Sequence, residues 1–101
     1  MKTILISGPQ GTGKTQLVQT LAPIFKIHSI NEILFTSIKS FVQDYKDKKM
    51  LIIDEVFPSK EINIIKEVFK DENITVIFIS NFSFEGFKIE GVKFDFIYNL
   101  Y

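Results

Sequence analysis

Eight consecutive residues near the start of the chain have the composition of a phosphate-binding loop. They fit the pattern G-x-x-x-x-G-K-[ST] and read Gly8, Pro9, Gln10, Gly11, Thr12, Gly13, Lys14 and Thr15. Glycines allow successive backbone N–H groups to turn toward one anion, which a Cβ atom would obstruct. In this pattern Lys14 reaches the β- and γ-phosphates of a nucleotide, and the Thr15 hydroxyl is a ligand of Mg²⁺. The alternative is a glycine turn with a solvated lysine.

Two adjacent carboxylates, Asp54 and Glu55, follow an apolar run at residues 50–53. Hydrolysis of ATP needs neutralised phosphate charge, a water in line with the leaving group, and a side chain that orients this water. We expect Asp54 to hold Mg²⁺ through water, since Mg²⁺ keeps much of its hydration shell. Glu55 would polarise the attacking water. The alternative is an acidic strand end that is merely solvated.

Asn81 follows a second apolar run, at residues 75–79, which is rich in β-branched residues. Its amide could hydrogen-bond the γ-phosphate or the attacking water. Asn is also a common turn former, so a turn residue after a strand is the alternative. The candidate catalytic residues are therefore Lys14, Glu55 and Asn81.

The elements that must position these residues can be predicted from apolar periodicity. The pattern predicts strands at 3–7, 24–30, 50–55, 75–79 and 94–101, and helices at 14–21, 31–45 and 58–70. Asn31 and Ser59 are candidate caps of the last two helices. The second helix would present one apolar stripe, formed by Leu34, Ile38, Phe41, Val42 and Tyr45. The segment 82–93 has no clear period and reads as a loop or a short element.

Strands that alternate with helices and are continuously apolar are typical of an α/β fold, with a mainly parallel sheet covered by helices on both faces. Ligands of such sheets bind outside the carboxyl ends of the strands. Ser7 with Gly8, Asp54 with Glu55, and Ser80 with Asn81 all lie at predicted strand ends. Three separate segments should therefore meet in one crevice.

Composition limits the possible classes of function. The 101 residues support one domain with one core, and a hydrophobic fraction of 46% favours a packed fold over disorder. Twelve basic residues balance twelve acidic ones, so no global charge indicates nucleic acid or an anionic membrane as partner. All twelve basic residues are Lys. The chain has no Cys, which excludes disulfides and thiolate metal sites. Without a signal-peptide pattern or a long apolar run, we expect a cytoplasmic protein with no membrane association.

The motifs resemble those of AAA+ ATPases. Residues 8–15 look like their Walker A motif, 51–55 like Walker B, Ser80 and Asn81 like sensor 1, and 91–95 like the G-R-F-D stretch before their last strand. The resemblance covers nearly the whole chain. It implies a three-layer P-loop NTPase core with five strands in the order 5-1-4-3-2, and ATP hydrolysis with Asp54 on Mg²⁺, Glu55 as base and Asn81 as sensor. A family residue near the end of the second strand restrains the catalytic Glu, for which Asn31 is a candidate.

The sequence also departs from that family. We expect a core domain without the helical lid and without the sensor 2 arginine, and Lys93 stands where the family often has Arg. An arginine finger contributes about 10³–10⁵ in rate, so turnover should be slow. We therefore predict a slow ATPase whose nucleotide state is coupled to a partner protein, a second copy of the chain or nucleic acid, in a helicase- or loader-like setting. The runner-up is a nucleotide-gated regulatory module with little or no hydrolysis. A small-molecule kinase and a GTPase fit less well, since Arg and an N-K-x-D motif are absent.

Overall fold

The computed structural model describes residues 2–25, 27, 29–37, 48–69 and 73–101. Within these residues the chain forms five strands and three α-helices. In chain order they are β1 Lys2–Ser7, α1 Lys14–Leu21, β2 Ile33–Ser37, β3 Met50–Asp54, α2 Glu61–Phe69, β4 Thr75–Ser80, α3 Phe84–Ile89 and β5 Phe96–Asn99. Two short 3₁₀ turns, Ala22–Phe25 and Ile30–Glu32, lie between α1 and β2.

The five strands form one sheet in the order β2-β3-β4-β1-β5, and every neighbouring pair is parallel. This confirms the predicted α/β class and the order 5-1-4-3-2. Because all strands run in the same direction, their carboxyl ends lie along one edge. Ser7 is in register with Ser80 at that edge, and Ser37 is in register with Asp54. We call it the carboxyl edge of the sheet.

Successive residues of each central strand enter different cores, as the pleat requires. Leu5, Leu51 and Phe78 pack on one face with Ile62 and Ile65 of α2 and Phe87 of α3. On the other face, strand residues Ile4, Ile6, Ile52, Ile77 and Ile79 pack with Val18 and Leu21 of α1. Helices therefore cover both faces, as predicted, and α1 is fixed directly beneath the loop that precedes it.

The predicted strand at 24–30 is wrong. Ala22–Phe25 forms a 3₁₀ turn that continues α1, and the Ile27 amide donates to the Ala22 carbonyl at 3.0 Å. Pro23 tolerates this position because a helical first turn needs no N–H from it. The Ile27 side chain is buried in the core that α1 covers. Among the described residues of this segment Ile27 is buried, and none of them is in a strand.

The predicted helix at 31–45 is wrong over its first part, because Ile33–Ser37 forms β2. The buried strand β3 needs a hydrogen-bonding partner on its outer side, and β2 supplies it. Residues 38–45, with Ile38, Phe41, Val42 and Tyr45 of the expected stripe, lie outside the described residues. Asn31 lies in the turn before β2, so its expected role as a helix cap is wrong.

The segment 82–93, expected to be a loop or a short element, contains the short helix α3. Gly91 ends it with a left-handed backbone, φ 75°, and the Val92 amide donates to the Phe87 carbonyl at 2.9 Å. Phe87 is buried and Phe84 packs against the same core, whereas Phe82 is 54% exposed. Gly86 sits so close to Pro58 that a Cβ would lie 2.8 Å from its ring. Two of these three Phe residues therefore belong to the core.

Asp95 joins the amino ends of β1 and β5. Its carboxylate oxygen Oδ2 accepts from the Thr3 amide at 2.8 Å and from the Thr3 hydroxyl at 3.2 Å, while the Asp95 amide donates to the Thr3 carbonyl at 2.9 Å. Nearby, the Lys66 ammonium lies 5.2 Å from the centre of the Phe94 ring and donates to the Lys93 carbonyl. Burial lowers the Lys66 pKa from its ordinary value, although Asp95 opposes the change. These contacts fix β5 beside β1.

None of the helices in the described residues is both long enough and apolar enough to cross a membrane.

Candidate functional site

The glycine loop at 8–15 connects β1 to α1 at the carboxyl edge. Gly11 and Gly13 both have left-handed backbones, with φ of 85° and 82°, where a side chain would be strained. Gly13 is the N-cap of α1, and because it has no side chain, the first amides of the helix are not capped from within the loop. The positive end of the helix dipole lies at the same place. The loop therefore has the shape and polarity of an anion cradle.

Gly8 is required for a different reason. It is buried, and a Cβ there would lie 2.8 Å from the Cβ of Leu100 and 3.0 Å from the hydroxyl of Thr12. The Leu100 amide donates to the Ser7 carbonyl at 2.7 Å, which holds the end of β5 against the start of the loop. The Thr12 hydroxyl donates to the Pro9 carbonyl at 2.8 Å. The loop is thus fixed both by its own contacts and by β5.

Lys14 is half-buried at the start of α1. Its ammonium donates to the carbonyl oxygens of Gly8 at 2.8 Å and Pro9 at 3.4 Å, and to the side-chain oxygen of Asn81. An ammonium has three donors, and these acceptors can use all of them. The side chain is therefore folded over the loop, at the position from which it would meet a phosphate.

The acid turn, residues 54–56, ends β3. Glu55 has a left-handed backbone, φ 58°, and is the one residue other than Gly with a positive φ among the described residues. Its amide donates to the Asp54 carboxylate at 2.7 Å. Val56 then returns to the sheet, where it is buried and its amide donates to the Ile79 carbonyl at 3.0 Å. The turn leaves both carboxylates exposed at the carboxyl edge.

Thr15, Asp54 and Glu55 line one pocket of about 350 Å³, together with Thr36 and Ser37 at the end of β2. A hydroxyl and a carboxylate are oxygen ligands of the kind that Mg²⁺ binds while it keeps several waters. No cluster of three or more His, Cys, Asp or Glu side chains occurs in the described part of the chain. The donor set of Thr15 and Asp54 thus fits a magnesium ion that is shared with a phosphate.

Asn81 lies in a turn that two buried serines hold in place. The Phe82 amide donates to the Ser80 hydroxyl at 3.0 Å, and the Ser7 hydroxyl donates to the Phe82 carbonyl. Ser7 and Ser80 are 0% and 1% exposed. We call residues 80–82 the Asn81 turn. Held on both sides, Asn81 presents its side-chain oxygen to Lys14.

Sequence reasoning placed Ser7 and Ser80 at strand ends without giving them a role. Each hydroxyl directly follows an apolar run, residues 4–6 in β1 and 76–79 in β4, and this local pattern does not distinguish a buried hydroxyl from a solvated one. Thr36 and Ser37 were missed because β2 was assigned to the wrong residues. Their signal was a β-branched and aromatic run that ends in two hydroxyl residues, as β4 ends in Ser80.

Two candidates lie away from the carboxyl edge. Asn31 precedes β2, so it is at the opposite end of that strand from Ser37 and Asp54, and its expected role near the catalytic Glu is wrong. Its carbonyl accepts from the Lys48 ammonium at 2.8 Å. Lys93 precedes β5, so it lies at the edge of the sheet where the strands begin, which we call the amino edge. It is exposed there. Its side chain therefore does not join Lys14 at the glycine loop.

A larger pocket, about 720 Å³, opens at the amino edge, where its lining includes Lys2, Lys49 and Thr75. Lys49 is paired with Glu32 at 3.3 Å, and Lys2 lies 5.5 Å from the centre of the Phe25 ring. Parallel α/β sheets bind their ligands at the carboxyl ends of the strands. The smaller pocket beside Thr15 is therefore the better candidate.

The comparison with protein families finds a match to the family described as RNA helicase, over residues 4–91. This range begins in β1 and ends after α3, so it contains the glycine loop, the acid turn and the Asn81 turn. The comparison with curated proteins finds no match.

Proposed function

The chain belongs to the RNA helicase family, and from this premise we propose that it binds ATP with Mg²⁺ and hydrolyses the nucleotide slowly. We propose further that its nucleotide state is coupled to a partner. The family description favours RNA as that partner, and a second copy of the chain or another protein would fit the same chemistry.

The observation that supports this proposal best is the meeting of three distant segments at the carboxyl edge. Lys14 of the glycine loop contacts Asn81 after β4, and Thr15 shares a pocket with Asp54 and Glu55 after β3. A chance glycine turn with a solvated lysine would not bring together the cation, the hydroxyl, the paired carboxylates and the amide that phosphoryl transfer requires.

In the proposed mechanism each residue has one task. The amides of the glycine loop and Lys14 would hold the phosphates, and Thr15 and Asp54 would hold the metal, Asp54 through water. Bound Mg²⁺ would neutralise part of the charge on the phosphate oxygens. Glu55 would take a proton from the attacking water while the oxygen of that water bonds to the γ-phosphorus. The bond from the γ-phosphorus to the bridging oxygen would break at the same time, so that ADP leaves and inorganic phosphate is formed. Asn81 hydrogen-bonds the γ-phosphate or that water, since its contact with Lys14 places it beside the cation.

We propose slow turnover because none of the twelve basic residues is Arg. An arginine finger is worth about 10³–10⁵ in rate, and the ammonium of Lys cannot reproduce its bidentate fork. We also propose that the core is of AAA+ type, because the order of its motifs and the position of Asn81 after β4 fit that resemblance. The same lack of Arg favours the second candidate, a nucleotide-gated regulatory module that hardly hydrolyses ATP.

The test is Mg²⁺-dependent ATP hydrolysis by the wild type and by Glu55→Gln, over a wide range of protein concentration, with and without single-stranded polyuridine RNA. Turnover that disappears in the variant, while nucleotide binding remains, would support the ATPase. Turnover per chain that rises with RNA would support RNA as partner, and a rise with protein concentration alone would support self-assembly. Binding without turnover under every condition would leave the regulatory module.

A further inference from the structure

We propose that the buried hydroxyl of Ser80 is a positioning group that couples Asn81 to the acid turn, so that the side chain beside the phosphate and the base Glu55 are set together. This inference rests on the proposed ATPase function. It assigns to Ser80 a task in the reaction, although Ser80 is too deeply buried to touch the nucleotide itself.

The first argument is the pair of bonds that Ser80 makes. Its hydroxyl donates to the Val56 carbonyl at 2.6 Å and accepts from the Phe82 amide at 3.0 Å. Val56 is the residue after Glu55, and Phe82 is the residue after Asn81. One hydroxyl with one proton therefore joins the acid turn directly to the Asn81 turn.

The second argument is that the same strand end also contacts the glycine loop. The Ser80 carbonyl accepts from the Gly8 amide at 3.0 Å, and the Val56 amide donates to the Ile79 carbonyl at 3.0 Å. The three segments that carry Lys14, Glu55 and Asn81 are thus hydrogen-bonded to two adjacent residues of β4. A displacement of any one segment would be transmitted through this point.

The third argument is that the acid turn needs external support. A left-handed backbone is strained at a residue other than Gly, and it persists only where surrounding contacts hold it. Glu55 has φ 58°. The next residue, Val56, is hydrogen-bonded through its carbonyl to the Ser80 hydroxyl and through its amide to the Ile79 carbonyl. Loss of the Ser80 hydroxyl would remove one of these two hydrogen bonds and, at the same time, one of the two that hold the Asn81 turn.

The test compares Ser80→Ala with Thr75→Val, which removes a buried hydroxyl at the other end of the same strand. We expect Ser80→Ala to lower kcat by about 10- to 100-fold, the usual cost of losing an outer-shell partner at metal sites, with KM and nucleotide Kd changed far less. Thr75→Val should leave kcat per folded molecule unchanged. Ser80→Thr, which keeps the hydroxyl, should lie closer to the wild type than Ser80→Ala. Unfolding by denaturant, measured on each variant, gives the folded fraction.

A wild type that hydrolyses ATP, with a kcat that Ser80→Ala leaves unchanged, would overturn the inference alone. A wild type that binds ATP without turnover would overturn the proposed hydrolysis, and the coupling would then be decided by the NMR shift of the Val56 amide on addition of a non-hydrolysable ATP analogue. That shift should be present in the wild type and lost in Ser80→Ala, and its retention would refute the coupling. A wild type that binds no nucleotide would overturn both proposals.

Discussion

The ammonium of Lys14 donates a hydrogen bond to the side-chain oxygen of Asn81, a residue 67 positions later in the chain. β1 and β4 are neighbours in the sheet, and their parallel register brings Ser7 beside Ser80, just before each of the two segments. The contact is therefore a consequence of strand order. It links the residue expected to hold a phosphate to the residue expected to sense it.

We expect Lys14→Ala to lower nucleotide affinity by about 10- to 100-fold, because hydrogen bonds to a charged group contribute ~1.5–3 kcal/mol. Asn81→Ala should instead lower turnover, by about 10²-fold if its amide supports the transition state as an oxyanion donor does. Nucleotide titration and steady-state hydrolysis measure the two effects. The exposed residue Thr20 of the same helix provides the control, Thr20→Ala. If Lys14→Ala and Thr20→Ala lowered nucleotide affinity equally, the assignment of Lys14 to phosphate binding would be refuted.

Glu55→Gln should abolish measurable turnover while nucleotide binding is kept, since a general base contributes about 10²–10⁴ in rate. The left-handed backbone of Glu55 predicts a second result, on stability. Glu55→Gly should be more stable than Glu55→Ala by about 1 kcal/mol, because only Gly adopts this conformation without strain. Denaturant unfolding of the two variants measures the difference. If Glu55→Ala proved the more stable, the strain at this turn would not exist.

Removal of Mg²⁺ by EDTA should stop hydrolysis in the wild type. Thr15→Val should raise the Mg²⁺ concentration needed for half-maximal turnover by at least the roughly 10- to 100-fold that loss of an outer-shell partner costs, because Thr15 would contact the metal directly. Thr15→Ser keeps the hydroxyl and should behave nearly as the wild type. A magnesium titration of the three proteins measures this. Turnover that persists in EDTA would exclude the metal site formed by Thr15 and Asp54.

Gly8→Ala should destabilise the fold by about 1–3 kcal/mol, the usual effect of adding a methyl group to a tightly packed site. The new Cβ would lie 2.8 Å from the Cβ of Leu100. The double variant Gly8→Ala with Leu100→Gly removes the contacting atom and should recover part of the loss. Equilibrium unfolding of the single and double variants provides the measurement. Additive effects of the two substitutions would show that the contact is not the cause.

Asp95→Ala should lower the free energy of unfolding by about 1–3 kcal/mol, because the buried amide of Thr3 loses its acceptor. Asp95 is at the amino edge, so the nucleotide affinity of the folded protein should not change. A double-mutant cycle with Thr3→Val isolates the part that involves the Thr3 hydroxyl. Loss of nucleotide affinity in folded Asp95→Ala would contradict a purely structural role.

The sequence predicted most correctly where one physical requirement dominates. The glycine loop, α1, β3 and β4 have strong local patterns, and the parallel order of the strands followed from the resemblance. The segment between α1 and β3 was predicted wrongly, because a helix-like spacing from Leu34 onward competed with the need of β3 for a partner strand. Apolar periodicity indicates which side chains can be buried, but it does not indicate which strand lacks a hydrogen-bonding neighbour.

The sequence by itself determined the chemistry available to this protein: a glycine loop with Lys14 and Thr15, paired carboxylates after one strand, and Asn81 after another. Tertiary structure alone decided how these groups are joined. The bond from Lys14 to Asn81, the left-handed turn at Glu55 and the two contacts of the Ser80 hydroxyl all depend on the order and register of strands that are distant in the chain. Local patterns cannot specify them, because a hydroxyl that follows an apolar strand looks the same in the sequence whether it faces solvent or holds two turns together.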